Sequence, residues 1–166
     1  KEQLANGAVT STYGADRKIV IALLNHALAT ELVCVLRYKR HYFMAQGIHR
    51  QAVAHEFFEH AIEEQKHADD IAARIVQLGG EPDFNPIGLL DRSHSEYVEG
   101  TNITEMLREN LIAERIAIDT YSEMIRYVGT DDPTTRRLFE DILKVEEEHA
   151  EELVTLLQNM ELPEQQ

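Results

Sequence analysis

Through four long stretches of this chain, apolar positions recur every three and four residues, and no stretch alternates as a strand would. The first stretch runs from Asp16 to Gln46, with Asp16 as its cap and Gly47 as its stop. The second runs from Arg50 to Leu78 and ends on Gly79-Gly80. The third starts at Asn102, where the pair Asn102 and Glu105 reads as a capping box, and ends at Val128 before Gly129. The fourth opens on Asp132-Pro133, a cap followed by proline at the first helical position, and fades at Met160.

Helices of these lengths are about 40 to 46 Å long and bury one face each against one another. The short connections at Gly47 and at 129–132 make two hairpins. The segment 79–101 is different: extended, it would reach roughly 75 Å, enough to run the length of a bundle. The predicted fold is all-α, an antiparallel four-helix bundle with one long crossover between helices two and three. Residues 1–15 are expected to form a loosely held tail, 16–160 the bundle and 161–166 a C-terminal tail.

The apolar stripes carry a chemical signal. They read Leu24, Leu28, Glu31, Val35, Tyr38 in the first helix and Phe57, Ala61, Glu64, His67, Ile71 in the second. The third gives Leu107, Leu111, Glu114, Ile118, Tyr121, and the fourth Ile142, Glu146, His149, Leu153. Each stripe has a glutamate where a further leucine is expected, and two have a histidine three residues later, on the same face. Burying four carboxylates costs several kcal/mol each unless something neutralises them. No Lys or Arg lies on the stripes, whereas two divalent cations would balance four carboxylates, with two neutral imidazoles as further ligands. Glu-x-x-His alone is a weak motif. Its weight here comes from repetition: each half of the chain supplies a core Glu on one helix and Glu-x-x-His on the next, 33 and 32 residues apart. A dinuclear metal site is therefore predicted, oxygen-rich and suited to iron or manganese; structural zinc would favour Cys and His.

Charge and cysteine content narrow the field. Sixteen basic against 30 acidic residues leave a net charge of −14, which argues against nucleic acid and anionic membranes and suits attraction of metal cations. The lone Cys34 excludes a disulfide framework and any CxxC site, and it reads as a small buried hydrophobe. No uninterrupted apolar run approaches the roughly 20 residues of a membrane span, and the first residues lack the apolar core of a signal peptide. A cytoplasmic protein is expected.

At Glu31-Leu-Val with Tyr38 seven residues on, Glu64-Gln-Lys-His67-Ala-Asp69, Ala113-Glu114 and Glu146-Glu-Glu-His149, the chain resembles the ferritin-like superfamily. Within it, the likeness is to bacterioferritins and bacterioferritin-like Dps proteins. The resemblance implies iron storage and detoxification by a ferroxidase that oxidises Fe2+ with O2 or H2O2 and deposits Fe3+ in a protein shell. It implies two iron ions per chain held by Glu31, Glu64, His67, Glu114, Glu146 and His149, with Glu64 and Glu146 as bridges; manganese is the alternative. Tyr38 matches a tyrosine that stands behind the site as hydrogen-bond donor or electron source. A non-storage di-iron or di-manganese oxidoreductase, of the peroxide reductase or manganese catalase kind, shares the same ligands.

Three departures from the bacterioferritins refine this, the first being a crossover, including residues 91–100, that is longer than in a typical bacterioferritin. Gln65 occupies the position of their haem-binding Met, so haem is not expected there. The sequence given ends shortly after the fourth helix, where bacterioferritins have a short fifth one, which favours a 12-subunit over a 24-subunit cage. His55-Glu56-Phe-Phe-Glu59-His60 is one residue too long for the zinc-protease motif, and its two histidines point to different faces. His26, His41, His49 and His94 read as surface or structural residues, and Asn102-Ile-Thr104 as a helix cap rather than a glycosylation site. Surplus acids such as Glu147, Glu151, Asp131 and Asp132 read as a solvated helix face in preference to a shell lining.

Overall fold

The computed structural model describes residues 5–45 and 50–161 and contains α1 (Arg17–Met44), α2 (Gln51–Gln77), α3 (Leu89–Arg92), α4 (Ile103–Val128) and α5 (Pro133–Glu161). Four of these are the expected long helices. The fifth, α3, is a single turn inside the crossover. Helix α1 ends two residues before the expected Gln46, and Gln46 and Gly47 lie outside the described residues.

Local chemistry sets the other ends. The Asp16 carboxylate accepts the amides of Lys18 and Ile19 at the start of α1. At the end of α2, Gly79 adopts φ +78°, and the amides of Gly79 and Gly80 donate to the carbonyls of Val76 and Ile75, both at 2.9 Å. This is a Schellman closure, which needs the left-handed backbone that glycine tolerates. At α4 the Asn102 side chain accepts the Glu105 amide at 3.0 Å, as the capping reading requires. The Glu105 carboxylate reaches back one residue further than a capping box, to the Thr101 amide at 2.8 Å.

The crossover lies along α1. Asn25 donates to the Glu81 carbonyl, Thr30 accepts the His94 amide, Arg37 donates to Ser95 and the Glu96 carbonyl, and His41 bonds the Val98 carbonyl. Advancing contacts on both segments mean that the crossover runs parallel to α1. The chain therefore leaves α2 at one end of the bundle and enters α4 at the other, so α2 and α4 run in the same sense. The His41 ring is buried, which together with the Arg37 charge holds it neutral, with a pKa lowered to about 4 despite its bond to Val98.

The core is in two parts. One cluster joins Leu24, Leu28, Ile71, Ile75, Tyr121, Met124, Phe139 and Ile142; the other joins Tyr38, Phe57, Ala61, Leu107 and Leu153. All four long helices contribute to both, and the predicted glutamates lie between them.

Two expectations need correction. The tail is docked: Val9, Tyr13 and Ala15 pack on the first cluster, and the Tyr13 hydroxyl donates to Asp132 at 2.8 Å. Asp132 is buried, accepts the Thr135 amide at 2.9 Å and Arg74 Nη2 at 2.8 Å, and so is a structural cap, not a solvated acid. Burial opposes its ionisation, but the bonds from Thr135 and Tyr13 and the Arg74 charge hold its pKa below the ordinary value. Secondly, α1 does contain an 18-residue window of mean hydropathy 2.1, long and apolar enough to cross a membrane. It is a core helix here: 56% of that window is buried in the bundle, and Glu31 lies within the helix.

Candidate metal centre

Helical spacing delivers one carboxylate from each long helix, and a histidine from two of them, to a common depth. Glu31 (α1), Glu64 and His67 (α2), Glu114 (α4), and Glu146 and His149 (α5) are all buried, none more than 5% exposed. They form two overlapping groups, Glu31–Glu64–His67–Glu146 and Glu64–Glu114–Glu146–His149, each with donor atoms within 4.8 Å of one another. Glu64 and Glu146 belong to both. Glu64 turns Oε2 to His67 Nδ1 (3.2 Å) and Oε1 to His149 Nδ1 (3.6 Å). Glu146 does the same with Oε1 (3.0 Å) and Oε2 (4.0 Å). Each shared carboxylate therefore offers one oxygen to either side, the geometry of a bridge between two ions.

Two tyrosines hold the unshared carboxylates. Tyr38 on α1 donates to Glu114 Oε1, and Tyr121 on α4 donates to Glu31 Oε1. The exchange is reciprocal, each helix of the α1–α4 pair supplying the donor for the other's glutamate. Tyr121 was not singled out from sequence, although its signal is there: it stands seven residues after Glu114, as Tyr38 stands seven after Glu31. Burial first, and then the adjacent carboxylates, push both phenols well above their ordinary pKa, so both act as neutral donors.

The electrostatics of the six groups are coupled. Burial and the Glu64 charge raise Glu31 to about 8, and burial with Glu64 and Glu114 raises Glu146. Burial opposes the ionisation of Glu64 and Glu114 too, but His149 and His67 beside Glu64, and Glu146 with the His149 charge beside Glu114, hold both below the ordinary value. Burial disfavours His67 as a cation, yet Glu31 and Glu64 raise it to about 10, and Glu114 and Glu64 raise His149 likewise. Left to themselves, the groups settle as two carboxylates, two neutral carboxyls and two imidazoliums.

The site fits a metal pair. Glu64 Oε1, Glu114 Oε2, Glu146 Oε1 and His149 Nδ1 are buried without a hydrogen-bond partner, a cost that metal ligation would remove. His149 keeps Nδ1 free for this because its Nε2 bonds Glu63 Oε2 at 2.6 Å, a carboxylate behind the ring that fixes its orientation. The repeat breaks here, since Val145 holds the position before Glu146 that Glu63 holds before Glu64. His67 instead lines a cleft of about 280 Å³ with Lys66, Asp70, Asp141 and Val145.

Other residues fall as follows. Arg37, absent from the sequence reading of the site, is 1% exposed and bonds Asn110 (2.8 Å), Ser95 (2.7 Å) and Cys34 Sγ (3.4 Å), which ties crossover and α4 to α1 beside the ligands. Burial opposes its charge, which Cys34, Tyr38 and Glu114 help retain. Cys34 is buried as expected, and burial raises its thiol pKa, keeping it protonated. His55 and His60 face differently as read, and His60 is buried against the site. His49 lies outside the described residues.

Four helices, a strap-like crossover and a carboxylate-lined pocket between the helices define the class of ferritin-like bundles. The Ferritin family, described as a ferritin-like domain, matches residues 21–162, and the chain belongs to it. The chain is similar to the dodecameric thioferritin, a bacterioferritin-related protein, of Bacteroides fragilis: 34% identity, 89% of each chain covered, TM-score 0.84. It is also similar to the bacterioferritin of Desulfovibrio desulfuricans, whose structure describes a diiron site, with 26% identity over 87% and 81% of the two chains and a TM-score of 0.77. The DNA protection during starvation protein of Pyrococcus furiosus is 30% identical over 156 residues, 90% of this chain and 84% of that one. Iron storage with ferroxidase activity is the function these bacterioferritin and Dps relationships support, and iron is the metal concerned.

Proposed function

We propose that Glu31 and His67 hold one Fe2+, that Glu114 and His149 hold a second, and that Glu64 and Glu146 bridge them. The observation that carries this is the pair of overlapping four-residue groups sharing Glu64 and Glu146. The chain's own work is positional. Tyr38 and Tyr121 fix the outer carboxylates, Glu63 fixes the His149 ring, and the two apolar clusters seal the site above and below. Two Fe2+ supply two electrons, which reduce H2O2 and two protons to two waters, or O2 and two protons to H2O2. His67 and His149 give up their extra protons to solvent when they become ligands, so Fe2+ uptake is coupled to proton release.

The Fe3+ product is stored inside a hollow cage. Twelve subunits are proposed, a number supported by the dodecameric Bacteroides fragilis relative. The working unit is 16–160, with 1–15 and 161–166 as tails, and the setting is the cytoplasm. Gln65 is exposed and bonds Asp69 at 3.1 Å, so haem is not proposed at that position. The DNA in the name of the Pyrococcus furiosus relative stays with that protein, because a net charge of −14 repels phosphate.

Anaerobic Fe2+ titration of metal-stripped protein, followed by oxidant and a particle mass, tests the proposal. Saturation at two Fe2+ per chain, then retention of far more iron in a shell of twelve subunits, is expected. Turnover without retained iron would point to the oxidoreductase alternative, and absence of tight binding would overturn the site.

A further inference from the structure

A second cluster of metal-ligating side chains lies against the first. Glu56 and His60 are four residues apart on α2, hence on one face, and Glu152 on α5 follows His149 by three. Their donor atoms lie within 4.8 Å of one another. His60 Nε2 is 2.8 Å from Glu152 Oε2 and 3.8 Å from Glu56 Oε2.

The histidine is built in. It is 1% exposed, its ring stacks on His149 at 3.8 Å with the planes 19° apart, and it meets the edge of Tyr38 at 5.1 Å. Its Nε2 is the nitrogen that faces these carboxylates; the other, Nδ1, is buried with no hydrogen-bond partner, and His60 also stands within 4.8 Å of donor atoms of Glu114 and His149. The carboxylates face outward: the Glu56 side chain is 30% exposed and that of Glu152 52%. A rigid, buried imidazole thus presents one nitrogen to two carboxylates at the protein surface.

A proton on Nε2 satisfies only one of those carboxylates, since Glu56 stands beyond hydrogen-bond reach. A divalent cation, bonded at about 2.0 to 2.2 Å to nitrogen and oxygen, would engage all three at once. Two carboxylates and one imidazole suit first-row divalent cations, with the remaining positions filled by water.

We propose that Glu56, His60 and Glu152 form a third divalent-cation position, separate from the dinuclear group and weaker than it. It is weaker because it has three protein ligands, two of them solvated, against four buried ligands on each side of the pair. The position stands on its own residues and does not depend on the proposed role of the pair.

The test is anaerobic titration of the assembled, metal-stripped protein with Co2+, with bound metal counted by equilibrium dialysis and located by anomalous scattering. Wild-type protein is expected to bind three Co2+ per chain, with an anomalous peak between Glu56, His60 and Glu152. The isosteric variant Glu56→Gln/Glu152→Gln changes only partly exposed side chains and is expected to lose the weakest ion and that peak. Glu64→Gln/Glu146→Gln, which lacks the shared carboxylates, is expected to keep one. Wild-type protein that binds only the ion at Glu56, His60 and Glu152, and neither ion of the pair, would refute the dinuclear reading and leave this one standing. Saturation of the wild type without that peak, or a third ion that persists in Glu56→Gln/Glu152→Gln, would overturn it.

Discussion

Loading the site with metal should expel protons, and the number is set by the ligands. At pH 6.5 the raised pKa values leave one proton each on Glu31 and Glu146 and an extra one each on His67 and His149, while Glu64 and Glu114 are ionised. Ligation requires all four protons to leave. Two divalent cations then replace four protons, and the pocket is electrically neutral before and after. The sign follows: protons and metal compete, so affinity rises with pH. Each proton contributes about 1.4 kcal/mol per pH unit, so the pair should gain about 5 kcal/mol per unit near pH 6.5. Above pH 8 the Glu31 proton is already gone and the dependence becomes shallower. The assay is anaerobic addition of Fe2+ to stripped protein in weak buffer with an indicator dye. About four protons per two Fe2+ are expected; one or none would show that the coupled burial of these groups does not govern their ionisation.

Further outcomes follow from the same structure. Because His67, Glu31 and Glu146 have folded-state pKa values above their unfolded ones, their contribution to stability is complete at low pH and is lost as pH rises. The Tm of stripped protein, followed by calorimetry, should therefore fall between pH 5 and 9, and that of loaded protein should not follow it. Tyr121→Phe removes the donor to Glu31 and should weaken metal binding on the His67 side about 10- to 100-fold in a Zn2+ competition assay, with Tyr38→Phe doing the same on the His149 side. Asp132→Ala removes a buried cap and the partner of Arg74, and should cost about 2 to 4 kcal/mol in urea unfolding at pH 7. Its folded pKa is depressed, so that cost should shrink as pH drops below about 4. Gly80→Ala would place a Cβ 2.8 Å from Ile21 Cγ2 and should cost about 1 to 3 kcal/mol by the same measurement.

The helices and their ends were legible because the signals are local. Asp16, Asn102, Asp132 and Gly79-Gly80 act within four residues of where they stand. The glutamates were legible because a charge on an apolar stripe contradicts the pattern around it. Arg37 offered no such contradiction: between Leu36 and Tyr38 it reads as a solvated cation, and only the crossover, 58 residues on at Ser95, buries it. Tyr13 is the same case over 119 residues, since nothing near it in sequence announces Asp132. His60 was read for its distance from His55, a comparison along one helix, whereas its partners His149 and Glu152 lie on another.

The mismatch between Glu63 and Val145 gives the metal pair a direction. The six ligands and the two tyrosines correspond between the halves, but their surroundings do not: His60 and Arg37 have Ile142 and Thr120 at the matching positions. Behind His149 stands a carboxylate; His67 borders an open cleft with Asp70 and Asp141 on its walls. The ion proposed on the His67 side is expected to trade with solvent first, through the cleft that His67, Asp70 and Glu63 line. Matching ligands set in unmatched surroundings make the two seats of the proposed pair unequal, one a doorway and the other an inner place.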